Sequence, residues 1–75
     1  MTGDEAKAVA ADEGLHLTPG AGAGGYMNVG YKRQKFTAEQ KFDGKRKYLG
    51  IFFTPEEAAL ANARAFEEHK ERQRA

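Results

Sequence analysis

Residues 41–60 read KFDGKRKYLGIFFTPEEAAL, and two signals in that stretch decide the fold. The first is Asp43-Gly44, set between runs in which apolar and cationic residues alternate. A two-residue hairpin of type I′ needs positive φ at both central positions, and Asp followed by Gly adopts it with little strain. The arms are predicted at Lys35–Phe42 and Lys45–Phe52. The second signal is Thr54-Pro55-Glu56-Glu57, a helix start. Thr54 caps a free amide, Pro55 fills the first helical position where a missing N–H costs nothing, and Glu57 reaches back to close a capping box.

Downstream of Thr54 the reading is simple. Residues 58–74 hold no Gly or Pro, and Ala, Leu, Glu, Lys and Arg dominate, so the helix runs almost to the end of the sequence. Glu68 and Arg72 stand in the favourable i to i+4 order on its exposed side. Ala58, Ala61, Ala65 and Phe66, with Asn62 at the margin, form the opposite face. Small residues there let the helix axis approach a sheet. The charged face lacks a heptad of large apolar residues, which argues for a solvated helix over a coiled coil.

Upstream, residues 26–33 complete a third strand, interleaving aromatic and β-branched residues with Lys and Arg. The connection at Arg33-Gln34 has no Gly or Pro, so the sequence does not set its turn type. The expected class is α+β, a three-stranded antiparallel sheet packed on one C-terminal helix. Val29, Tyr31, Phe36, Ala38, Phe42, Leu49, Ile51 and Phe52 are the candidates for the inner face. Residues 15–25, LHLTPGAGAGG, read as a flexible Gly/Ala linker. AKAVAADEG before it is a short Ala-rich stretch, and isolated helices below roughly 12 residues are marginal in water. Residues 1–24 are therefore expected to be a disordered tail and linker, with the folded domain at 25–75.

Composition narrows the chemistry. Seventy-five residues support one small domain. The absence of Cys and Ser removes thiol and serine nucleophiles and cysteine-held zinc. Catalysis is not expected, and no metal or cofactor is assigned. His16 in the linker and His69 on the helix read as solvated side chains. GAGAGG at 20–25 lacks the Lys-Ser/Thr ending of a phosphate loop. No apolar run approaches the roughly 20 residues of a membrane span, and the first residues lack the basic start and apolar centre of a signal peptide. The net charge of +1 hides an uneven distribution. Residues 26–53 carry seven cations and two anions, while the segments on either side are net acidic. The basic island coincides with the predicted strands.

Within that island and the following helix start, Tyr26-x-x-Val29, Lys35-Phe36-x-Ala38-Glu39, Tyr48-Leu49-Gly50-x-Phe52, Thr54-x-Glu56-x-Ala58-Ala59-x-Ala61 and Arg64-Ala65 follow one another in order. Residues 26–67 thereby resemble the Apetala and ethylene-response-factor family of DNA-binding domains, the GCC-box-binding fold. The resemblance implies a sheet that lays its outer face in the DNA major groove. Carried over by position, it implies contacts from Lys32, Glu39, Lys41, Arg46 and Tyr48. Met27 and Gly30 stand where the family usually has Arg, Asn28 replaces a usual Gly, and both family Trp contacts are missing. The short turns and KxDGKRKYLG look more like divergent members of the family than a flowering-plant factor.

Strand parity supports the same face, since Glu39 and Lys41 point opposite to Phe36, Ala38 and Phe42, and Arg46 and Tyr48 share their side. Lys47 has inward parity, with its stem expected along the core edge and its amine in water. Double-stranded DNA is the expected partner. Lys32, Arg33, Lys35, Lys45 and Arg46 would contact phosphates, and Glu39, Lys41, Arg46 and Tyr48 would contact bases. The bland reading of the same face is a solvated sheet whose Lys residues block aggregation. Three basic residues at 45–47 are too few for a localisation signal, and turn and phosphate contact is the preferred reading. A sequence-specific transcription regulator is expected, monomeric, without a membrane or small-molecule partner, nuclear in a eukaryote and otherwise cytoplasmic. The alternatives are the DNA-binding module of an integrase or homing nuclease, an RNA-binding module, or a protein-interaction module using a sheet edge. Glu56 and Glu57 stand where a double-stranded-RNA-binding domain needs basic residues.

Overall fold

The computed structural model describes residues 2–42 and 44–74, with side chains up to residue 71. Among the described residues two α-helices and three strands follow one another as α1 (Gly3–Asp12), β1 (Val29–Lys32), β2 (Lys35–Phe42), β3 (Lys45–Phe52) and α2 (Pro55–Arg74), with one 3-10 turn at Ala23–Gly25 before β1. The strands form an antiparallel sheet in the order β1-β2-β3. With α2 across one face, this is the α+β architecture expected from the sequence.

Both hairpin turns have two residues. Lys32 pairs with Lys35, leaving Arg33 and Gln34 at φ 52° and 63°. Positive φ at both positions is the type I′ pattern, reached here without glycine and therefore under strain. Phe42 pairs with Lys45 across the second turn, where Gly44 has φ 79°. Asp43 lies outside the described residues, as does the side chain of Arg72, so the turn's first residue and the Glu68–Arg72 pair are not described. At the start of α2, Thr54 Oγ1 accepts from the Glu57 N–H at 3.2 Å and donates to Glu57 Oε1 at 3.3 Å.

Small residues set the spacing between helix and sheet. Val29, Ala38, Ala58 and Ala59 are buried together, with Leu17, Tyr26, Phe36, Leu49 and Phe52 packed around them. Among the described residues no large side chain is fully buried, so the core has little hydrophobic reserve. Three expected core residues behave differently. A β-bulge sets Ala38 opposite Gly50 and Glu39 opposite Tyr48, leaving Leu49 as the extra residue. Leu49 and Phe52 therefore reach the core, while Ile51 turns to the outer face and is 57% exposed. Tyr31 sits exposed at the edge, its ring 5.1 Å from that of Phe36. Phe42 is half-buried and stacks on His69 at 4.3 Å, so that histidine is not a plain solvated side chain.

Strand β1 begins at Val29, later than the sequence suggests. Asn62, only 5% exposed, donates from Nδ2 to the carbonyls of Asn28 at 3.0 Å and Met27 at 3.4 Å. Asn28 has φ 62°, which breaks the extended run. Residues 26 and 27 pair backwards instead, Tyr26 bridging to Pro19 and the Met27 N–H donating to the Thr18 carbonyl at 2.9 Å. Asn62 is thus part of the core and not at the margin of the helix face. Phe66 is the marginal residue, half-exposed beneath the Lys70 amine at 5.3 Å.

The largest departure is at the N-terminal end. Residues 1–24 read as a disordered tail, yet 3–12 form α1 and dock on α2. Thr2 caps the helix, its Oγ1 accepting from the Glu5 N–H at 3.1 Å. At the other end Gly14, at φ 70°, closes a Schellman motif: its N–H donates to the Ala11 carbonyl at 3.1 Å, and the Leu15 N–H to the Ala10 carbonyl at 2.8 Å. Ala6 and Ala10, one turn apart, bury against Leu60, with Val9, Leu15 and Leu17 around them. The Arg64 guanidinium pairs with both carboxylate oxygens of Glu13, Nε lying 3.0 Å from Oε1. That hydrogen bond holds the Glu13 carboxyl below its ordinary range and raises the Arg64 guanidinium further above neutrality. Nor is the Gly/Ala stretch free chain. Leu17 touches both clusters, and a Cβ on Gly24 would come within 2.2 Å of Pro55 Cβ.

Candidate nucleic-acid interface

The outer face of the sheet is built in rungs that follow from the strand register. Lys32 lies opposite Lys35, and Gly30, Thr37 and Ile51 form a row across all three strands. Glu39 lies opposite Tyr48, and Lys41 opposite Arg46. Alternation leaves Phe36, Ala38, Gln40 and Phe42 on the other side of β2, towards α2. An uncharged row thereby lies between the Lys32–Lys35 rung on one side and, on the other, the Glu39–Tyr48 rung followed by Lys41–Arg46. The bulge makes this possible, because it restores Tyr48 and Ile51 to one surface despite their odd separation.

Six of the eight residues singled out in the sequence share this face: Lys32, Lys35, Glu39, Lys41, Arg46 and Tyr48. Arg33 lies at the tip of the β1–β2 turn, exposed beside it. Lys45 does not join the rungs, since it pairs with Phe42 and so has the opposite parity at the far hairpin end. Lys47, opposite Gln40, has the expected inward parity and is exposed.

Charge on the face is partly organised. Arg46 Nε lies 3.3 Å from Glu39 Oε2, a diagonal pair across β2 and β3. The Arg46 side chain is 78% exposed, so the pair is worth at most about 1 kcal/mol and leaves the remaining guanidinium donors facing solvent. Lys35 holds its amine 5.5 Å from the centre of the Phe53 ring. Phe53 is 76% exposed, and sequence reading passed over it. The Phe52-Phe53 doublet at a strand end was the available signal, because neighbouring residues point to opposite sides and Phe52 is committed to the core.

No protein-family model, curated protein or solved structure matches the chain. The functional reading therefore rests on the face itself.

A polar network behind the face fixes β1 against its neighbours. Asn28 Nδ2 donates to Gln40 Oε1 at 3.4 Å, and Gln40 Nε2 donates to the Asn62 carbonyl at 3.3 Å. With the Asn62 bonds to residues 27 and 28, the network ties the start of β1 to β2 and α2. It holds Gly30 and Lys32 in line with the other rungs. Among the described residues Asn62 Oδ1 has no hydrogen-bond partner, a penalty of roughly 1–3 kcal/mol accepted within the network. Among the described residues there is also no cluster of three His, Asp or Glu able to hold a metal ion, and no helix long and apolar enough to cross a membrane.

Proposed function

We propose that the chain binds double-stranded DNA through the outer face of its sheet, laid in the major groove. The observation that carries this reading is the placement of Lys32, Lys35, Lys41 and Arg46 on one exposed surface around an uncharged row. A three-stranded sheet of this width is compatible with a groove about 12 Å across. Cations on the outer rungs reach phosphates, and Glu39, Tyr48 and the middle row meet base edges. The resemblance to the Apetala and ethylene-response-factor family adds support, as that family uses the same face. The action is occupancy of a site, without bond chemistry, and regulation of transcription is its natural consequence.

The test is selection from a randomised duplex pool, followed by fluorescence anisotropy on the winning sequence, a scrambled duplex and matched RNA across a salt series. Enrichment of one motif, with log affinity falling at about −0.9 per phosphate contact against log salt, is the expected result. A Lys41→Ala, Arg46→Ala double variant should lose most of that binding. If duplexes fail to bind at low salt, the reading is wrong, and the exposed Phe53, Ile51 and Tyr48 then point to a protein partner instead.

A further inference from the structure

We infer that Ile51 is a specificity residue, reading the 5-methyl group of a thymine at the centre of the bound site. The inference rests on the DNA reading above and goes further, because it names a base and the atom recognised. Three observations converge on it. First, the bulge at Leu49 turns a β-branched apolar side chain outward in the middle of a basic face, leaving it 57% exposed where alternation would bury it. Burying Ile51 would have favoured stability. Second, its row is uncharged across the whole sheet: Gly30 has no side chain, and Thr37 between them is short and half-buried. A Cβ on Gly30 would come within 2.6 Å of Thr37 Oγ1, so the threonine hydroxyl lies over the glycine.

Third, the rungs on either side carry Lys32 and Lys35 in one direction and Glu39, Lys41 and Arg46 in the other. When those cations engage phosphates, the Gly30–Thr37–Ile51 row faces the groove floor. The major-groove feature that favours an apolar contact is the thymine methyl, which cytosine lacks. Glu39 lies one rung away from Ile51. Ionised, it accepts hydrogen bonds only, so its matching partner is a cytosine amino group near that thymine.

The experiment replaces each thymine of the selected duplex in turn by deoxyuridine, which removes the methyl and keeps every pairing and groove hydrogen-bonding group. Affinities are measured for the wild-type chain and for Ile51→Ala and Ile51→Thr. Ile51→Thr keeps a β-branched side chain, and circular dichroism confirms that the variants fold. The expected result is one position at which deoxyuridine weakens wild-type binding roughly fourfold, the loss for one methyl left in water. At that position Ile51→Ala binds the two duplexes equally. If the duplex binds with the expected salt slope but no deoxyuridine matters, or if Ile51→Ala keeps the discrimination, the inference is overturned and the DNA reading survives. If no duplex binds, both fall together.

Discussion

The two helices of this protein start the same way and have different standing in the fold. Thr2-x-x-Glu5 and Thr54-x-x-Glu57 are the same capping pattern, and in both the threonine hydroxyl accepts from the N–H three residues on. α2 has twenty residues and covers the sheet, whereas α1 has ten and rests on α2 through two alanines and one leucine. A helix of α1's length does not persist alone in water. Its existence is a tertiary fact, dependent on Leu60 and the Glu13–Arg64 pair. The shared motif marks where a helix can begin, and docking decides whether it is populated.

That contrast breaks most directly at Leu60. Leu60→Ala should cost about 2–5 kcal/mol, as for other buried leucines, and most of the loss should appear as undocking of α1. Urea denaturation measures the total. Hydrogen exchange should show the amides of residues 6–12 losing protection before those of β2, and simultaneous loss would mean that both helices belong to one cooperative unit. The caps come next. Thr54→Ala is expected to lower global stability by about 1 kcal/mol. Thr2→Ala should instead fray residues 3–6 and leave the urea midpoint almost unmoved.

A change away from both helices tests their separation from the other side. Gln34→Gly removes a left-handed non-glycine residue and should stabilise the sheet by roughly 0.5–1 kcal/mol. If α1 opens independently, its exchange rates will not follow. The smallest effect is expected at Glu13. Its carboxyl is held below the ordinary value of 4.5 by the Arg64 hydrogen bond, so the pair's contribution is fully present above that value and fades as pH falls through the lower folded-state pKa. A titration followed through the amides of Ala10 and Leu15 should show α1 loosening below pH 4.5, and Glu13→Gln should remove the dependence.

The sheet and the long helix were legible in the sequence because each has a local cause. Asp43-Gly44 fixed the arms of β2 and β3, and Thr54-Pro55 fixed the start of α2, all with the observed boundaries. What the sequence concealed was contextual. Ile51 reads as core until the extra residue at Leu49 is known, and a bulge leaves little trace in a string of alternating residues. The Gly/Ala segment reads as entropy because glycine and alanine bury little surface, yet Gly24 lies where no side chain fits beside Pro55. Its role is a close approach. The ends of α1 were legible in principle, as Thr2-x-x-Glu5 and Gly14-Leu15 bracket the helix with a cap and a Schellman closure. Shortness argued against it, and Leu60 and Arg64 on α2 supply the missing half. For the candidate interface, parity brought six of the eight residues to one face, while Lys45 and Phe53 depended on events at strand ends.

The side-by-side course of the two helices has an electrical consequence. Gly3 lies beside Glu56 and Glu13 beside Arg64, so the helices point the same way and their positive N-terminal poles are neighbours. Asp4 and Glu5 in one first turn and Glu56 and Glu57 in the other offset that repulsion with four carboxylates. These charges lie in the helical layer, and the cations of the outer sheet face lie across the sheet from it. The molecule is therefore a dipole despite a net charge of only +1. A polyanion within about a Debye length, roughly 10 Å at 0.1 M salt, would turn it basic face first before any contact forms.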